Sequence, residues 1–323
     1  MKVELLEADA CAPVTGGRQE RYSREANAMV ARMIGRFEAI FIPYPPHIEF
    51  HGRSDYLQQL GRETRGLPQK GMRVLAPSGS GKTTAAEAYI RLVLSSRPQG
   101  EATKPVVKVS LASATTVKKL FQSILDEFED GFSDRGNEHS LRRRAMACFR
   151  RFESELLIID EVQHLNFRST ASNDVTDALK ALLDTGVVPI VFLGTEEAQP
   201  MFERNLQLNG RLLPPCDFKP LFAANKGDQA LLRGYVERLD AEIVQLGLLP
   251  EIGGLGAPWV LSALHKVSGG MVGRVSRLTQ AALEIAIRRG ASRLEPYDLA
   301  EAVDRWAIPQ AFVDINPFRI SKK

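Results

Sequence analysis

MRVLAPSGSGKTT, at residues 72–84 of this 323-residue chain, is the segment that most strongly indicates its fold. It opens with an apolar strand pattern at 72–76, continues through a glycine- and serine-rich loop, and reaches Gly81, Lys82 and Thr83 where a helical pattern begins. A strand, a glycine-rich loop ending in Gly-Lys-Thr, and a helix in this order predict a phosphate-binding loop. Ala76 stands where the usual pattern has its first glycine, and it keeps a small residue at the end of the strand.

The residue types in this loop suit the phosphates of a nucleotide. Gly79 and Gly81 allow backbone N–H groups to turn inward on a phosphate, beside the N-terminus of the following helix. The ammonium of Lys82 would lie between the β- and γ-phosphates of ATP, and the hydroxyl of Thr83 would coordinate Mg²⁺. The predicted ATP-binding residues of the loop are Pro77, Ser78, Gly79, Ser80, Gly81, Lys82, Thr83 and Thr84.

An acidic pair follows a second apolar strand pattern, in ELLIIDEVQHL at 155–165. Asp160 and Glu161 lie at the end of this strand, about 78 residues after Lys82, which is typical of a Walker B motif. Asp160 would join the nucleotide site by holding Mg²⁺ together with the Thr83 hydroxyl, and Glu161 would polarise the attacking water. The intact glutamate predicts hydrolysis of ATP to ADP and phosphate rather than nucleotide binding alone.

Apolar strand patterns and helical patterns alternate through the middle of the chain. The strands are expected at 72–76, 105–111, 155–160 and 187–194, and the helices at about 81–95, 115–128, 138–152 and 172–184. Near-continuous apolar strands separated by helices predict an α/β core with a parallel sheet that helices cover on both faces. A short fifth strand is expected near Cys216–Phe218, which would make the sheet five-stranded.

The two ends of the chain have a different character. An amphipathic stretch before residue 45 is expected to form a helix that docks on another surface. Residues 225–307 show only helical periodicity and predict a small all-α lid domain. The expected organisation is an N-terminal arm at 1–45, the α/β ATPase core at 46–222, the lid at 223–307 and a flexible C-terminal tail at 308–323.

Composition places the chain among ordinary globular proteins, with 44% hydrophobic and 25% charged residues. No apolar run approaches the roughly 20 residues that cross a bilayer, and the first residues lack the apolar stretch of a signal peptide. We therefore expect a cytoplasmic protein without membrane association. The net charge of +3 is too small to predict nucleic-acid binding by itself, and the three cysteines are too scattered to predict a metal site.

Further residues suited to the γ-phosphate complete the predicted catalytic set of Lys82 and Glu161. Thr195 follows the strand pattern ending in VFLGT and would touch the γ-phosphate or align the water. FERNLQLNGRLLP, at 202–214, offers Arg204 and Arg211 as an arginine finger toward a neighbouring subunit's γ-phosphate, and Arg211 is preferred. SGGMVGRVSRL, at 268–278, offers Arg274 and Arg277 at a predicted helix start, and Arg274 is the preferred candidate to fold over the phosphates bound to its own chain.

The order of these motifs resembles the TniB family of transposon ATPases, which are AAA+ proteins related to TnsC and more distantly to IstB-type helpers. The motifs that carry the resemblance are APSGSGKTT, LLIIDEVQHL, PIVFLGT, NGRLL and SGGMVGRVSRL. The segment IPYPPHIEFHGRSDYLQQL at 42–60 is also similar, and the resemblance covers roughly residues 35–305. In the family a short motif with the pattern GR helps to enclose the adenine. Arg53 and its neighbours from Ile48 to Tyr56 would then line the base pocket.

The resemblance implies the fold, the activity and the partners of a transposon regulator. The fold would be an AAA+ P-loop core followed by a small all-α lid, with Thr195 as the sensor-1 residue and Arg274 as the sensor-2 residue. The protein would oligomerise on double-stranded DNA in the presence of ATP, as a ring or a helical filament. It would contact a DDE transposase of the TniA or TnsB type and a TniQ-like target selector.

Two local basic clusters are candidates for the DNA surface. The first is ATTVKKLFQ at 114–122, where Thr115, Thr116, Lys118 and Lys119 lie at a predicted helix start. Hydroxyl and ammonium groups suit phosphate oxygens, which position a protein on DNA without reading its sequence. The second is LRRRAMACFRR at 141–151, for which a solvated helix face or a partner surface is the favoured interpretation.

Two alternative functions fit the same motifs. One is an AAA+ motor or loader in DNA replication or recombination, similar to RuvB, which processive unwinding of naked DNA would favour. The other is a nucleotide-gated DNA scaffold with negligible hydrolysis. The intact Glu161 counts against the scaffold.

Overall fold

A computed structural model describes residues 22–98, 103–113, 115–165 and 175–319 of the chain. The strands in this described part are β1 (Gly71–Leu75), β2 (Val106–Ser110), β3 (Leu156–Asp160) and β4 (Ile190–Gly194). The helices are α1 (Arg24–Glu38), α2 (Pro45–Glu63), α3 (Lys82–Ser95), α4 (Val117–Glu127), α5 (Glu138–Arg151), α6 (Val175–Asp184), α7 (Gln199–Arg204), α8 (Leu206–Asn209), α9 (Lys226–Gln245), α10 (Pro258–Ser268), α11 (Val272–Arg288) and α12 (Pro296–Ala302). None of the described helices is both long and apolar enough to cross a membrane.

The chain divides into two compact units. The sheet unit comprises Phe41–Tyr235 and Ser268–Arg274 and contains β1 to β4. Within the described residues, the helical unit comprises residues 22–40, Val236–Val267 and residues 275–319. A short segment from the C-terminal half of the chain thus belongs to the sheet unit.

The sheet is parallel, with the strand order β1-β4-β3-β2. At the middle of β3, Ile158 pairs with Lys108 on one side and Val191 on the other. Parallel strands connected through helices confirm the predicted α/β fold. Because the carboxyl ends of parallel strands lie at one edge of a sheet, the residues that follow β1, β3 and β4 lie along the same edge.

Hydrophobic cores bury both faces of the sheet, since successive strand residues point to opposite faces. In β3, Leu157 and Ile159 pack into one core, and Leu156 and Ile158 pack into the other. Helices α4, α5 and α6 contribute to the first core, and helices α2 and α3 to the second. Burial on both faces explains why the strands read as almost continuous apolar runs.

The prediction of a fifth strand near Cys216–Phe218 is wrong. The segment runs beside β1 and donates backbone hydrogen bonds to it, from Leu213 to Gly71 (2.7 Å), from Cys216 to Arg73 (3.0 Å) and from Phe218 to Leu75 (3.2 Å). Pro214 and Pro215 prevent a regular strand because proline has no N–H to donate. Their carbonyls accept hydrogen bonds from Nη1 of Arg53, at 3.0 and 3.2 Å. The sheet therefore has four strands.

In the helical unit, helix α1 packs against the C-terminal helices of the same chain. Val30 and Phe37 of α1 are buried. Polar contacts join Arg36 to the carbonyl of Leu246, Glu38 to Gln280 (2.9 Å) and Asn27 to Arg288 (2.9 Å). The amphipathic stretch expected near the N-terminus is thus a helix, and its docking surface lies within its own chain.

A flexible tail is expected at 308–323, but the structure anchors residues as far as Arg319 in the helical unit. The amide of Asn316, a residue only 6% exposed, donates to Asp304 (2.6 Å). Arg319 donates to Asp304 (2.6 Å) and to Glu301. These contacts join polar side chains across a turn, and neither hydrophobic periodicity nor composition reveals them.

Candidate nucleotide-binding site

The loop between β1 and α3 has the backbone geometry of a phosphate-binding loop. Gly79 and Gly81 have φ angles of +81° and +90°, in the left-handed region that favours glycine. Gly81 directly precedes α3, so the loop ends at the N-terminus of a helix. The N–H groups of a first helical turn and the positive end of the helix dipole suit this position to an anion.

Lys82, the first residue of α3, is buried beside the loop with 7% of its surface exposed. Its ammonium donates to the carbonyls of Ala76 (2.8 Å) and Pro77 (3.4 Å). Burial lowers the pKa of Lys82, and the nearby carboxylates of Glu161 and Asp160 oppose that shift. A buried ammonium at the start of a helix is suited to bind phosphate oxygens.

Asp160 and Thr83 meet at the carboxyl end of β3. The Thr83 hydroxyl donates to Oδ2 of Asp160 at 2.9 Å, and Asp160 is 1% exposed. Burial raises the pKa of the Asp160 carboxyl, while the Thr83 hydrogen bond and Lys108, whose Nζ is 3.8 Å away, oppose the rise. A Mg²⁺ ion bound with a nucleotide takes one or two protein ligands besides phosphate oxygens. The Thr83 hydroxyl and the Asp160 carboxylate fit this requirement.

Glu161 has a left-handed backbone, with φ 60° and ψ 41°. In a non-glycine residue this conformation costs on the order of 1 kcal/mol and often marks a functional site. It turns the chain out of β3 into a short 3₁₀ turn at Val162–His164. The Glu161 carboxylate accepts a hydrogen bond from the side chain of Gln163. The strained glutamate thus lies directly after the Mg²⁺-binding candidate.

Thr195 and Arg274 also lie beside the loop. Thr195 follows β4, where the carbonyl of Gly194 accepts a hydrogen bond from the N–H of Ala76 (3.0 Å). The backbone N–H of Arg274 donates to the carbonyl of Gly79 (3.2 Å). The Arg274 side chain packs over Gly79 so closely that a Cβ there would lie 2.6 Å from Cγ of the arginine. Residues far apart in sequence therefore meet around the phosphate loop.

Two buried hydroxyls in this region have no hydrogen-bond partner within the described chain. They are Oγ of Ser80 and Oγ1 of Thr195. An unsatisfied buried polar group costs about 1–3 kcal/mol, and such groups in native proteins are usually completed by a ligand, an ion or water. Phosphate oxygens would accept a hydrogen bond from either hydroxyl, so these residues fit ATP.

Other predicted arginines have partners inside the chain. Nε of Arg211 donates to Asp184 at 2.8 Å, and the Arg211 side chain is 34% exposed. Arg53 pairs with Glu49 (2.6 Å) in addition to the carbonyls of the two prolines that follow Leu213. Arg204 is the last residue of α7. The structure thus gives Arg53 a contact with the segment beside β1 and gives Arg211 a carboxylate partner.

Among the candidate DNA-binding residues, the lysines are exposed and the threonines have local partners. Thr115 is 2% exposed, and its hydroxyl donates to the carbonyl of Ala112. Thr116 caps helix α4 by accepting a hydrogen bond from the N–H of Lys119 (3.4 Å). Lys118 and Lys119 are exposed at the start of the helix. These two lysines supply the accessible charge of this cluster.

Arginines of the second basic cluster, at 141–151, contribute to the fold. Arg144 pairs with Asp130, and this pairing lowers the pKa of the Asp130 carboxyl. Arg142 donates to the carbonyl of Ala181 (3.2 Å). Arg142 and Arg144 are therefore engaged by partners within the chain, and a solvated helix face or a partner surface stays the prediction for this cluster.

His47, Lys108 and Gln163 belong to the same region, although the sequence patterns assign no role to any of them. His47 is 3% exposed, and a Cβ on Gly81 would lie 2.9 Å from its Nε2. Burial lowers the pKa of His47 to about 4. The sequence offers a signal only for Lys108, a charged residue inside the apolar strand pattern VVKVS. Its Nζ pairs with Glu87 at 2.9 Å and lies 3.8 Å from Oδ2 of Asp160.

The fold is similar to that of solved ORC and Cdc6 structures, which are AAA+ proteins. The Aeropyrum pernix ORC2 protein in ADPNP-ADP complexes has a TM-score of 0.55 and 14% identity, covering 78% of this chain and 67% of that chain. The Aeropyrum pernix ORC1 protein in complex with DNA has a TM-score of 0.57 and 17% identity, covering 82% and 66%. Cdc6p from Pyrobaculum aerophilum has a TM-score of 0.59 and 13% identity, covering 83% and 70%. These similarities establish an AAA+ fold, with a P-loop core and a helical C-terminal part.

Sequence comparison supplies the family. No curated protein matches the chain in sequence. The profile of the family described as Bacterial TniB protein matches residues 38–216, which is more than half of the 323 residues. The matched part includes the phosphate loop together with Asp160, Glu161 and Thr195. The chain therefore belongs to the TniB family.

Proposed function

We propose that the protein binds ATP with Mg²⁺ and hydrolyses it to ADP and phosphate. The observation that carries this proposal is the 2.9 Å contact between the Thr83 hydroxyl and the Asp160 carboxylate, with Glu161 as the next residue. Both oxygens suit Mg²⁺, and they lie at the end of a loop that holds a buried lysine. A glutamate beside them is suited to accept a proton from an attacking water.

Each residue of the site has a part in the proposed reaction. Mg²⁺, when bound, would be held by Thr83 and Asp160 and would neutralise charge on the β- and γ-phosphates. Lys82 would exchange its carbonyl partners for phosphate oxygens. Glu161 would orient and deprotonate the attacking water, and the guanidinium of Arg274 would stabilise charge on the γ-phosphate.

The proposed role of this activity is the regulation of transposition on double-stranded DNA. Membership of the TniB family supports this role, and the DNA-bound ORC1 structure has a similar fold. Lys118 and Lys119 offer exposed cations for contacts with DNA phosphates. The proposed assembly is a cytoplasmic ring or helical filament that forms with ATP and recruits a DDE transposase of the TniA or TnsB type and a TniQ-like target selector.

Replacement of Glu161 by glutamine tests the proposal. Glu161→Gln should bind ATP as the parent does, because Lys82 and Asp160 are unchanged, but hydrolysis should slow by roughly 100-fold or more. Its assemblies on DNA should persist in ATP, as seen by electron microscopy. Glu153→Gln is the matched control, because Glu153 also has a left-handed backbone (φ 51°) outside the site.

Phosphate release by Glu161→Gln at the parent rate would contradict the proposed base. Processive unwinding of naked DNA by the parent protein would support a RuvB-like motor instead. ATP-dependent assembly of the parent without measurable phosphate release would support a scaffold.

A further inference from the structure

The side chain of Gln163 lies between the proposed catalytic base and Thr195, the residue that follows β4. Gln163 is half-buried in the 3₁₀ turn at Val162–His164, two residues after Glu161. Its Nε2 donates to Oε2 of Glu161. Its Oε1 accepts a hydrogen bond from the backbone N–H of Thr195 at 3.0 Å. One amide group thus joins the ends of β3 and β4.

The chemistry of the two partners fixes the orientation of this amide. A backbone N–H can only donate, so the N–H of Thr195 must face the oxygen of Gln163. The NH₂ group then points to the Glu161 carboxylate, which can only accept when it is ionised. A hydrogen bond to a charged group is about twice as strong as one between neutral groups. Both ends of the Gln163 amide are therefore used, and neither partner would accept the reversed orientation.

The end of β4 leaves space for Gln163 only because residue 194 is glycine. A Cβ at Gly194 would lie 2.9 Å from Oε1 of Gln163 and 2.7 Å from Cγ2 of Val162. Real Cβ atoms essentially never approach other atoms so closely, so any side chain here would force the side chains of Val162 and Gln163 to shift. The close approach brings the turn against β4 and allows the glutamine to reach the N–H of Thr195.

We infer that Gln163 is a positioning residue for ATP hydrolysis, acting through Glu161. It holds one carboxylate oxygen of Glu161 at a fixed place relative to Thr195 and leaves the other oxygen to accept a proton from the attacking water. The inference rests on the proposed hydrolysis and assigns no contact between Gln163 and the nucleotide. Without the amide, the Glu161 carboxylate would rotate among several rotamers, and a smaller fraction of molecules would present it to the water.

Gln163→Met tests this role, because methionine has a similar length but cannot form either hydrogen bond. Single-turnover hydrolysis should slow roughly ten- to a hundred-fold, as expected when a hydrogen bond to a charged group is removed. Affinity for ADP and for a non-hydrolysable ATP analogue should stay at the parent value. Binding of ADP with aluminium fluoride, which imitates the transferring phosphate with its water, should weaken by a factor similar to the decrease in rate.

Gln59→Met is the matched control, because Gln59 also donates its amide to a carboxylate, that of Asp55 on the exposed face of α2. It should leave all of these measurements unchanged. Gln163→Glu is a second variant that keeps the size of the side chain and replaces the donor by a carboxylate. It should slow hydrolysis at least as much as Gln163→Met does, since it places a second negative charge beside Glu161.

A double substitution separates positioning from general stabilisation. In Glu161→Gln protein, the further change Gln163→Met should not slow hydrolysis any more, because Gln163 acts only through Glu161. A further decrease in that background, or weaker ADP binding by Gln163→Met, would overturn the inference in favour of a structural role. Hydrolysis by Gln163→Met at the parent rate, with Glu161→Gln inactive, would overturn it while leaving the proposed function intact. An inactive parent protein would contradict the proposed hydrolysis itself.

Discussion

Single residues around the phosphate loop form a set of buried charges that depend on one another. Burial lowers the pKa of Lys82 and raises that of Asp160, so desolvation disfavours the charged form of each. Lys108 lies 3.8 Å from Asp160, and the carboxylates of Asp160 and Glu161 oppose the shift at Lys82. Removing a single member leaves an opposite charge buried without its partner, which costs more than the pair contributes.

Lys82→Ala should abolish measurable ATP binding at concentrations that saturate the parent. The phosphates would no longer meet the cation of the loop and would instead face Asp160 and Glu161. Calorimetric titration with a non-hydrolysable ATP analogue measures the effect. Lys104→Ala, which removes a lysine paired with Glu127 at 3.2 Å, is the control and should bind as the parent does. Unchanged affinity in Lys82→Ala would contradict the assignment of this loop to phosphates.

His47 makes the stability of the fold depend on pH. Its folded pKa of about 4 lies below the ordinary value of 6.5 because the ring is buried. Between these values the unfolded chain binds a proton that the folded chain does not, so stability is present at neutral pH and falls as the pH drops. At pH 5 this group lowers the free energy of unfolding by about 2 kcal/mol.

Urea unfolding of the parent and of His47→Gln at pH 7 and pH 5 measures this contribution. The decrease in unfolding free energy between the two pH values should be smaller in His47→Gln by about 2 kcal/mol. His139→Gln, at an exposed histidine, should show the decrease of the parent. If the unfolding free energy of His47→Gln decreases between pH 7 and pH 5 by as much as that of the parent, the buried histidine does not titrate as described.

At the scale of elements, the sequence patterns that predict the fold involve neighbouring residues. β1 to β4 are predictable because both of their faces are buried, and the resulting apolar runs stand out from the helices between them. The phosphate loop and the pair Asp160 and Glu161 are likewise contiguous in sequence. Their meeting point follows from the topology, since the ends of parallel strands share one edge of the sheet.

The features that sequence patterns do not predict depend on contacts between distant elements. Cys216–Phe218 has the apolar character of a strand, and only its register against β1 shows that the two preceding prolines interrupt the ladder. In the sequence, Gln163 resembles an ordinary polar turn residue. Its contact with the N–H of Thr195 is evident only in the fold, where β4 lies beside the turn. Arg53 contacts carbonyls more than 150 residues away, which its own sequence neighbourhood does not indicate. Residue type alone carries no information on such partners.

The N-terminal turn of α4 is the element to which we assign DNA binding, and salt dependence tests it. Replacing Lys118 and Lys119 by alanine should lower the slope of log affinity against log salt concentration by about one unit for each DNA phosphate that the variant no longer binds. Affinity should fall to a similar extent on unrelated DNA sequences, because groups that bind phosphates do not read bases. Fluorescence anisotropy with double-stranded DNA at several salt concentrations measures both effects.

A matched pair of cations on α5 provides the comparison. Arg143 and Arg150 are both exposed, and replacing both by alanine removes the same amount of charge from the 141–151 cluster. Their removal should leave the slope unchanged. A reduced slope in this variant, with none in the lysine variant, would move the DNA surface to α5.

At the level of the assembled protein, the role proposed for Arg211 lies outside its own chain. Its guanidinium would reach the γ-phosphate bound to a neighbouring subunit. Its guanidinium pairs with Asp184, which also accepts from Lys180 at 3.3 Å. Both partners of Asp184 are partly exposed, and surface ion pairs of this kind contribute about 0–1 kcal/mol. A bound γ-phosphate in a neighbouring subunit would therefore compete effectively for Arg211.

Mixing two inactive variants tests this role. Arg211→Ala keeps an intact site but cannot complete a neighbour's, and Lys82→Ala has the opposite defect. Each alone should be nearly inactive, and the mixture should regain part of the ATPase activity, because some interfaces join an intact site to an intact arginine. Arginine fingers in well-studied GTPases accelerate hydrolysis by about 10³–10⁵, so limited rescue is measurable. If the two variants co-assemble and no ATPase activity returns, Arg211 is not the residue that completes a neighbour's site. Arg204→Ala would then be tested in the same way.

Pro214 and Pro215 also close the β1 edge of the sheet against other chains. An open strand edge presents unpaired N–H and C=O groups and invites the edge of a second molecule, which leads to aggregation. Here the N–H groups of the flanking segment face β1, the prolines have none, and Arg53 occupies both proline carbonyls. The protein is proposed to polymerise along DNA, where its local concentration would be high. Blocking the β1 edge would prevent copies from pairing through their sheet edges. The copies would then join only through interfaces that depend on bound ATP. The proposed filament would dissociate after the ATP is hydrolysed.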